Sequence, residues 1–133
     1  MLNVGIIGLG VGEQHIAGFN QTRNATVTHL CDLDHKKLQK LTSKHGVKHS
    51  SVDSNDIIDD PNVDIVSIAS YDDYHASQVV RAIDNGKHVF VEKPLCLFLE
   101  EAVQIAAALR DRRPPMAADI EESVRFTICA AHQ

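Results

Sequence analysis

The sequence is poor in the residues that build disulfide frameworks, metal centres and membrane spans. It has no tryptophan, and its three cysteines, Cys31, Cys96 and Cys129, form no Cys-x-x-Cys pair. Because the cysteines are odd in number and far apart, we predict no disulfide scaffold and a reducing, cytoplasmic setting. The eight histidines are also scattered along the sequence, so we predict no bound metal. The apolar N-terminal run is too short to cross a bilayer and lacks the basic start of a signal peptide, so we predict no membrane attachment.

Positive charge is also scarce. Thirteen Lys and Arg residues stand against 18 Asp and Glu, for a net charge of -5. That sign argues against nucleic acid or an anionic membrane as the main partner. A length of 133 residues, with 44% hydrophobic and 23% charged residues, is typical of one globular domain.

Short β-branched apolar runs alternate with longer amphipathic stretches along the chain. This alternation predicts an α/β fold with a doubly wound, mostly parallel sheet. Asp34 is a predicted N-cap, and Gly46 is predicted to end the helix that follows. The predicted strands cover 3–7, 26–31, 47–53, 64–69 and 87–91, and the predicted helices cover 12–22, 34–45, 54–58, 74–85 and 99–112. A further short strand is predicted at the start of 116–133, where an apolar stretch also covers 126–131.

The strongest local motif is the glycine-rich turn between the first predicted strand and helix. Gly8 permits a tight turn, and Gly10 lets the backbone approach a pyrophosphate at a helix N-terminus. Glu13 replaces the last glycine of the G-x-G-x-x-G pattern and brings a negative charge near the phosphates. Because Gly12 stands one place before the last glycine position of that pattern, the start of the helix or its packing on the strand must differ from the usual arrangement. We predict that Gly8, Gly10, Val11 and Gly12 bind a dinucleotide; the alternative is a glycine turn without a ligand.

Asp32 ends the second predicted strand, 22 residues after Gly10. An acid at this position accepts hydrogen bonds from the adenosine ribose and repels a 2′-phosphate. We therefore predict NAD rather than NADP as the cofactor, and no arginine nearby argues against this. The alternative for Asp32 is a solvated turn residue.

Two more polar loops follow predicted strands, and ligands of parallel sheets bind at such loops. In the first, Ser70 leads to His75, which either contacts a ligand or satisfies the start of a helix. In the second, Pro94 biases Lys93 toward an extended backbone, so that its side chain projects from the strand end. A lysine partly desolvated beside a nicotinamide can act as acid and base on a substrate hydroxyl. The alternative is an ion pair between Lys93 and Glu92 or another acid.

Four segments together carry a family resemblance. They are the glycine turn with its strand (4–15), the acidic turn 31–34, the 69–75 loop, and 86–95 with its Glu-Lys-Pro block. Over about residues 2–112 the sequence resembles the Gfo/Idh/MocA oxidoreductases, named for glucose-fructose oxidoreductase and inositol dehydrogenase. The Glu-Lys-Pro block is the specific part of the likeness.

The resemblance implies a Rossmann NAD(P)-binding domain, here predicted over residues 1–120. It implies that Lys93 is the catalytic lysine near substrate and nicotinamide, and that Ser70, His75 and Glu92 line the cofactor. The reaction it implies is hydride transfer between NAD(P) and a secondary hydroxyl of a sugar or cyclitol. Tyr71, where a proline is usual, and Asp72, where an asparagine is common, depart from the family pattern.

The family normally has a second α/β domain, which carries most substrate contacts and the oligomer interface, and we expect no such domain within residues 1–133. We predict that residues 121–133 are a C-terminal tail at the start of a linker, and the sequence leaves open whether the chain is naturally short or truncated. We therefore expect cofactor binding with poor turnover, a sugar-like substrate in the complete enzyme, and an exposed surface available for homo-oligomerisation. The competing interpretation is a noncatalytic nucleotide-binding or interaction module.

Overall fold

A parallel β-sheet forms the centre of the computed structural model, which describes residues 1–112 and 126–129. The strands are β1 (Leu2–Ile7), β2 (Ala25–Cys31), β3 (His49–Ser51), β4 (Ile65–Ile68), β5 (His88–Glu92) and β6 (Phe126–Cys129). The helices are α1 (Gly12–Asn20), α2 (His35–His45), α3 (Ser54–Ile58), α4 (His75–Asp84) and α5 (Leu99–Asp111), and a 3₁₀ turn at Asp72–Tyr74 precedes α4.

The strand order of the sheet is β3-β2-β1-β4-β5-β6. All of its strand pairs are parallel. The chain runs outward from β1 to β3 and then crosses to the other side of β1 to begin β4. Ligands of such sheets bind at the carboxyl ends of the strands, where the order reverses. The topology confirms the predicted doubly wound Rossmann fold.

Apolar side chains fill a layer on each face of the sheet. On one face, Ile16 of α1 and Leu38 and Leu41 of α2 pack against β1 and β2. On the other face, α3, α4 and α5 cover the sheet, and their inward side chains belong to a second cluster. The main helical members of that cluster are Ile57, Ile58, Val79, Ile83 and Ile105.

The helix boundaries follow the local signals. Asp34 caps α2, because its Oδ1 accepts hydrogen bonds from the backbone N–H groups of Lys36 and Lys37 at 3.0 and 3.1 Å. Gly46 ends α2 in the left-handed conformation, with φ of 63°, which glycine adopts without steric cost. The fourth helix starts at His75 rather than at residue 74, because the 3₁₀ turn occupies the preceding three residues.

The C-terminal boundary of the domain differs from the sequence prediction. Phe126–Cys129 pairs in parallel with β5 and extends the same sheet, beyond the predicted boundary at residue 120. On α5, Ile105 is buried, whereas Val103 is 61% exposed. The strand predicted at the start of 116–133 lies outside the described residues.

Within residues 1–112 and 126–129, no helix is both long enough and apolar enough to cross a membrane.

Candidate functional site

The turn after β1 can be built only with glycine at its first position. Gly8 has φ of 87°, a conformation that costs other residues steric strain. Its N–H donates to the carbonyl of Cys31 at 2.8 Å, and a Cβ on Gly8 would collide with the carbonyl of Ala69. The glycine therefore lets the ends of β1, β2 and β4 come together.

Gly10 and Gly12 serve different purposes in the same turn. A Cβ on Gly10 would meet no protein atom within 4 Å, and Gly10 lines an open cavity. A Cβ on Gly12 would stand 2.9 Å from Cγ2 of Ile6. Because α1 begins at Gly12, this glycine provides the close helix-to-strand packing. This close packing explains why the third glycine of the turn is residue 12 rather than residue 13.

Glu13 does not bring its charge to the glycine turn, contrary to expectation. Its Oε1 accepts a hydrogen bond from Lys44 Nζ at 2.8 Å and lies 3.4 Å from His45 Nε2. These bonds hold the pKa of the Glu13 carboxyl below its ordinary value. Glu13 is not among the residues that line the cavity. The carboxylate therefore links α1 to the last turn of α2.

Asp32 connects the end of β2 to the glycine turn. Its Oδ2 accepts a hydrogen bond from the N–H of Leu9 and its Oδ1 accepts one from the N–H of Asp34, both at 2.8 Å. The side chain lines the cavity, and each carboxylate oxygen can accept a further hydrogen bond. The structure thus holds the Asp32 carboxylate in a fixed orientation beside the cavity, unlike a freely solvated turn residue.

The cavity lies at the carboxyl ends of the first four strands. Its volume is about 830 Å³, within the range of roughly 300–1,000 Å³ that small-molecule sites occupy. The loops after β1, β2, β3 and β4 contribute its walls, and Lys37 of α2 and Gln78 of α4 also line it. Of the predicted site residues, the cavity brings together Gly8, Gly10, Val11, Asp32 and Ser70.

His75 lies outside this cavity lining. It is 1% exposed, with Nδ1 2.6 Å from the carbonyl oxygen of Pro94 and Nε2 2.9 Å from that of Ser70. A ring with both nitrogens engaged and almost no exposed surface has no room for a ligand. This corrects the prediction that His75 contacts the cofactor directly, because the ring instead ties together the loops after β4 and β5.

Glu92 and Lys93 lie at the end of β5, also outside the cavity lining. Glu92 Oε1 is 2.8 Å from His15 Nε2, and His15 Nδ1 is 2.8 Å from the hydroxyl of the fully buried Ser67. Lys93 is exposed, and the described residues include no ion-pair partner for it. The alternative of an ion pair between Lys93 and Glu92 is therefore not what the structure shows.

Sequence reasoning assigned no role to His15, Lys37 or Gln78. His15 directly precedes Ile16, a buried residue of α1. The sequence signal for a role of His15 was therefore a polar residue next to a buried helical position. Nothing local indicated that Lys37 and Gln78 reach the cavity, because each comes from the helix after a loop. Within the described ranges, no group of three or more His, Cys, Asp or Glu side chains is arranged to hold a metal ion.

Comparison with known proteins gives a consistent result. Residues 2–127 match the model of the Gfo/Idh/MocA oxidoreductase family, described as having an NAD-binding Rossmann fold. The myo-inositol 2-dehydrogenase of Thermotoga maritima is 34% identical over 101 residues, which are 75% of this chain and 30% of that protein.

Solved structures show the same likeness. The myo-inositol 2-dehydrogenase from Lactobacillus plantarum superposes with a TM-score of 0.78 at 30% identity, covering 83% of this chain and 33% of that one. The scyllo-inositol dehydrogenase from Lactobacillus casei, solved with NAD(H) and scyllo-inositol, gives a TM-score of 0.79 at 26% identity, covering 84% and 33%. The present chain thus spans about a third of the length of these relatives. It belongs to the Gfo/Idh/MocA oxidoreductase family and has that family's NAD-binding Rossmann fold.

Proposed function

We propose that this chain binds a nicotinamide dinucleotide, with NAD preferred to NADP, as the cofactor domain of a sugar or cyclitol dehydrogenase. The observation that carries the proposal is the open space beside Gly10, between the end of β1 and the start of α1. A side chain there would fill space that the protein leaves free. A dinucleotide needs such space, because its pyrophosphate must approach the backbone closely.

The start of α1 fits a phosphate group. The N-cap position, Val11, provides no side-chain hydrogen bond to the first turn, so the backbone N–H groups there are not satisfied by a capping side chain. These N–H groups and the positive end of the helix dipole favour an anion. Gly8, Gly10 and Val11 line this part of the cavity, and Gly12 lets the start of α1 pack closely against Ile6 of β1. These residues would hold the pyrophosphate.

Asp32 supports the preference for NAD. Its carboxylate lies beside the cavity, held by the Leu9 and Asp34 N–H groups, and would accept hydrogen bonds from the adenosine ribose while repelling a 2′-phosphate. Lys37 also lines this end of the cavity and is the group that would attract a 2′-phosphate. The cofactor preference therefore depends on the balance between these two charges.

Ser70, Glu92 and Lys93 would serve the nicotinamide half. Ser70 lines the cavity, and its hydroxyl donates to Gln78 Oε1 at 2.5 Å. Glu92, held by His15, would border the cofactor at the end of β5. The bound nicotinamide would supply the hydride acceptor or donor. Lys93 would hold or accept the proton of the substrate hydroxyl at Nζ, and its exposed position at the end of β5 leaves it accessible for that role.

The substrate class comes from the relatives. Proteins similar to this chain are named as inositol dehydrogenases, so a cyclitol or sugar with a secondary hydroxyl is the substrate class that we propose for the complete enzyme. We also propose a reducing, cytoplasmic setting, because the three cysteines are scattered along the sequence and odd in number.

Calorimetric titration of the full chain with NADH and NADPH tests the proposal. We expect saturable NADH binding and weaker NADPH binding. Asp32→Asn keeps an acceptor for the Leu9 N–H but removes the charge, so it should shift the preference toward NADPH by about 10-fold or more. Adding Lys37→Ala to that variant should cancel the gain. Absence of NADH binding to the folded chain would refute the proposed function, whereas tighter binding of NADPH would refute only the role of Asp32.

A second candidate function rests on the beginning of α5. Leu97, Phe98, Leu99 and Val103 are 48%, 65%, 78% and 61% exposed, and clustered exposed apolar side chains are typical of association surfaces. A noncatalytic nucleotide-binding or interaction module would use this surface. Such a module would associate with a partner through this surface. A chain that is strictly monomeric in light scattering and has no affinity for other proteins would argue against this second function.

A further inference from the structure

The loop after β4 presents two aromatic side chains that the proposed function leaves without a role. Tyr71 and Tyr74 are the only tyrosines of the chain. They are 71% and 45% exposed, and both line the cavity. The N–H of Tyr74 donates to the carbonyl of Tyr71 at 2.9 Å, so one tight turn carries both rings. Within residues 1–112, neither ring has a side-chain hydrogen bond or an aromatic partner.

The turn is held firmly from its buried side. His75 bonds to the carbonyl oxygens of Ser70 and Pro94, and the Ser70 hydroxyl bonds to Gln78. The backbone of the loop is therefore fixed while the two rings stay in solvent. Aromatic rings bury large apolar areas and stack on planar partners, so a fixed turn that exposes two of them at a cavity is suited to contact with a ligand.

The order of the strands indicates which part of a dinucleotide reaches the two tyrosines. In the sheet, β1 lies between β2 and β4. Asp32 at the end of β2 would take the adenosine ribose, and the glycine turn after β1 would take the pyrophosphate. The rest of the molecule then continues in the same direction, toward the end of β4. Tyr71 and Tyr74 lie in the loop that follows β4.

We propose that Tyr71 and Tyr74 form an aromatic wall that contacts the nicotinamide riboside half of the dinucleotide and contributes to its affinity. This inference rests on the proposed function and adds two contact residues to it. It assigns the aromatic surface to the cofactor rather than to the sugar-like substrate.

The test compares ligands that do and do not contain the proposed contact. NADH and ADP share the adenosine and pyrophosphate, but ADP lacks the nicotinamide riboside. The variant Tyr71→Ala/Tyr74→Ala should bind NADH about 3- to 10-fold more weakly than the wild type and should bind ADP equally well. Tyr71→Phe/Tyr74→Phe keeps both rings and should restore NADH affinity. Phe98→Ala removes an aromatic ring of similar exposure outside the cavity and should change neither affinity.

A spectroscopic measurement gives an independent readout. The chain has no tryptophan, so these two tyrosines supply its intrinsic emission. Oxidised nicotinamide does not absorb where tyrosine emits, but it quenches aromatic rings on which it stacks. Saturating NAD⁺ should therefore quench the emission more than saturating ADP does.

Each possible outcome bears on a different claim. Equal weakening of NADH and ADP binding in the alanine variant, unchanged NADH binding, or equal quenching by NAD⁺ and ADP would overturn the aromatic wall while leaving the proposed function intact. A wild-type chain that binds neither ligand would overturn the proposed function and this inference together. Thermal unfolding midpoints of the variants close to that of the wild type ensure that folding is not what changed.

Discussion

Replacing Gly10 with alanine separates the binding of a dinucleotide from the stability of the fold. In the folded chain the new methyl group meets no protein atom within 4 Å, and Gly10 is not among the glycines with positive φ. The folded state therefore accommodates alanine without strain. Because alanine restricts the unfolded chain more than glycine does, we expect the free energy of unfolding to rise by about 0.4–1 kcal/mol.

The expected effect on binding has the opposite sign. The methyl group would project into the space that a pyrophosphate needs beside the glycine turn, and would push the phosphate away from the N–H groups at the start of α1. Loss of one hydrogen bond to a charged group costs about 1.5–3 kcal/mol. We therefore expect the dissociation constant for NADH to rise about 10- to 150-fold.

Two matched glycine variants complete the experiment, with NADH titration and denaturant unfolding as the assays. Gly18 of α1 also has open space around its missing Cβ, and it does not line the cavity. Gly18→Ala should stabilise the chain and leave NADH binding unchanged. Gly8→Ala should destabilise it by about 1–2 kcal/mol or more, because Gly8 has φ of 87° and its Cβ would meet the Ala69 carbonyl. Unchanged NADH affinity in Gly10→Ala, or a lower free energy of unfolding, would contradict the proposed contact between Gly10 and the pyrophosphate.

Three further predictions concern buried groups. Burial raises the pKa of the Cys31 thiol to about 12. Iodoacetamide should therefore alkylate Cys31 at least about a hundredfold more slowly in the native chain than in the denatured chain at neutral pH. Equal alkylation rates, measured by peptide mass spectrometry, would contradict this. Burial lowers the pKa of His29, so the stability it contributes is complete above its ordinary value near 6.5 and is lost as the pH falls through the lower folded value. His29→Gln should therefore flatten the pH dependence of the unfolding free energy between about pH 7 and 5, and an unchanged slope would count against the assignment. His15→Ala leaves the buried Ser67 and the partly buried Glu92 without their hydrogen bonds to His15, so it should lower the free energy of unfolding by about 1–3 kcal/mol. A double-mutant cycle with Glu92→Gln, measured by denaturant unfolding, should be non-additive, and additive losses would exclude the pairing.

Local patterns in the sequence predict most of the fold. The α2 boundaries follow from Asp34 and Gly46, because N-caps and left-handed glycines act within one turn of the chain. The glycine turn and Asp32 are equally local, since each lies directly after a buried strand. Their proximity follows from the parallel sheet, which gathers the carboxyl ends of its strands at one edge.

Contacts between residues far apart in the sequence could not be predicted in the same way. Glu13 bonds to Lys44, 31 residues away, and His15 bonds to Glu92, 77 residues away. Periodicity shows that a side chain faces inward, but it does not identify the partner that meets it there. The β6 strand was missed for a related reason, because its pairing with β5 depends on an edge that only the folded sheet provides.

Cofactor binding and proton transfer have different structural support in this chain. The loops after the first four strands build the cavity, and Asp32 is fixed beside it by two hydrogen bonds. Lys93, by contrast, is exposed at the end of β5, and no side chain in the described ranges forms an ion pair with it. Catalysis requires the substrate to be held within about 3–3.5 Å of the reacting groups, and Lys93 does not line the cavity that Asp32 borders. Under the proposed function, affinity for NADH and turnover of a sugar or cyclitol should therefore separate in this chain. The first would depend on the cavity at β1 to β4, and the second on groups that face Lys93.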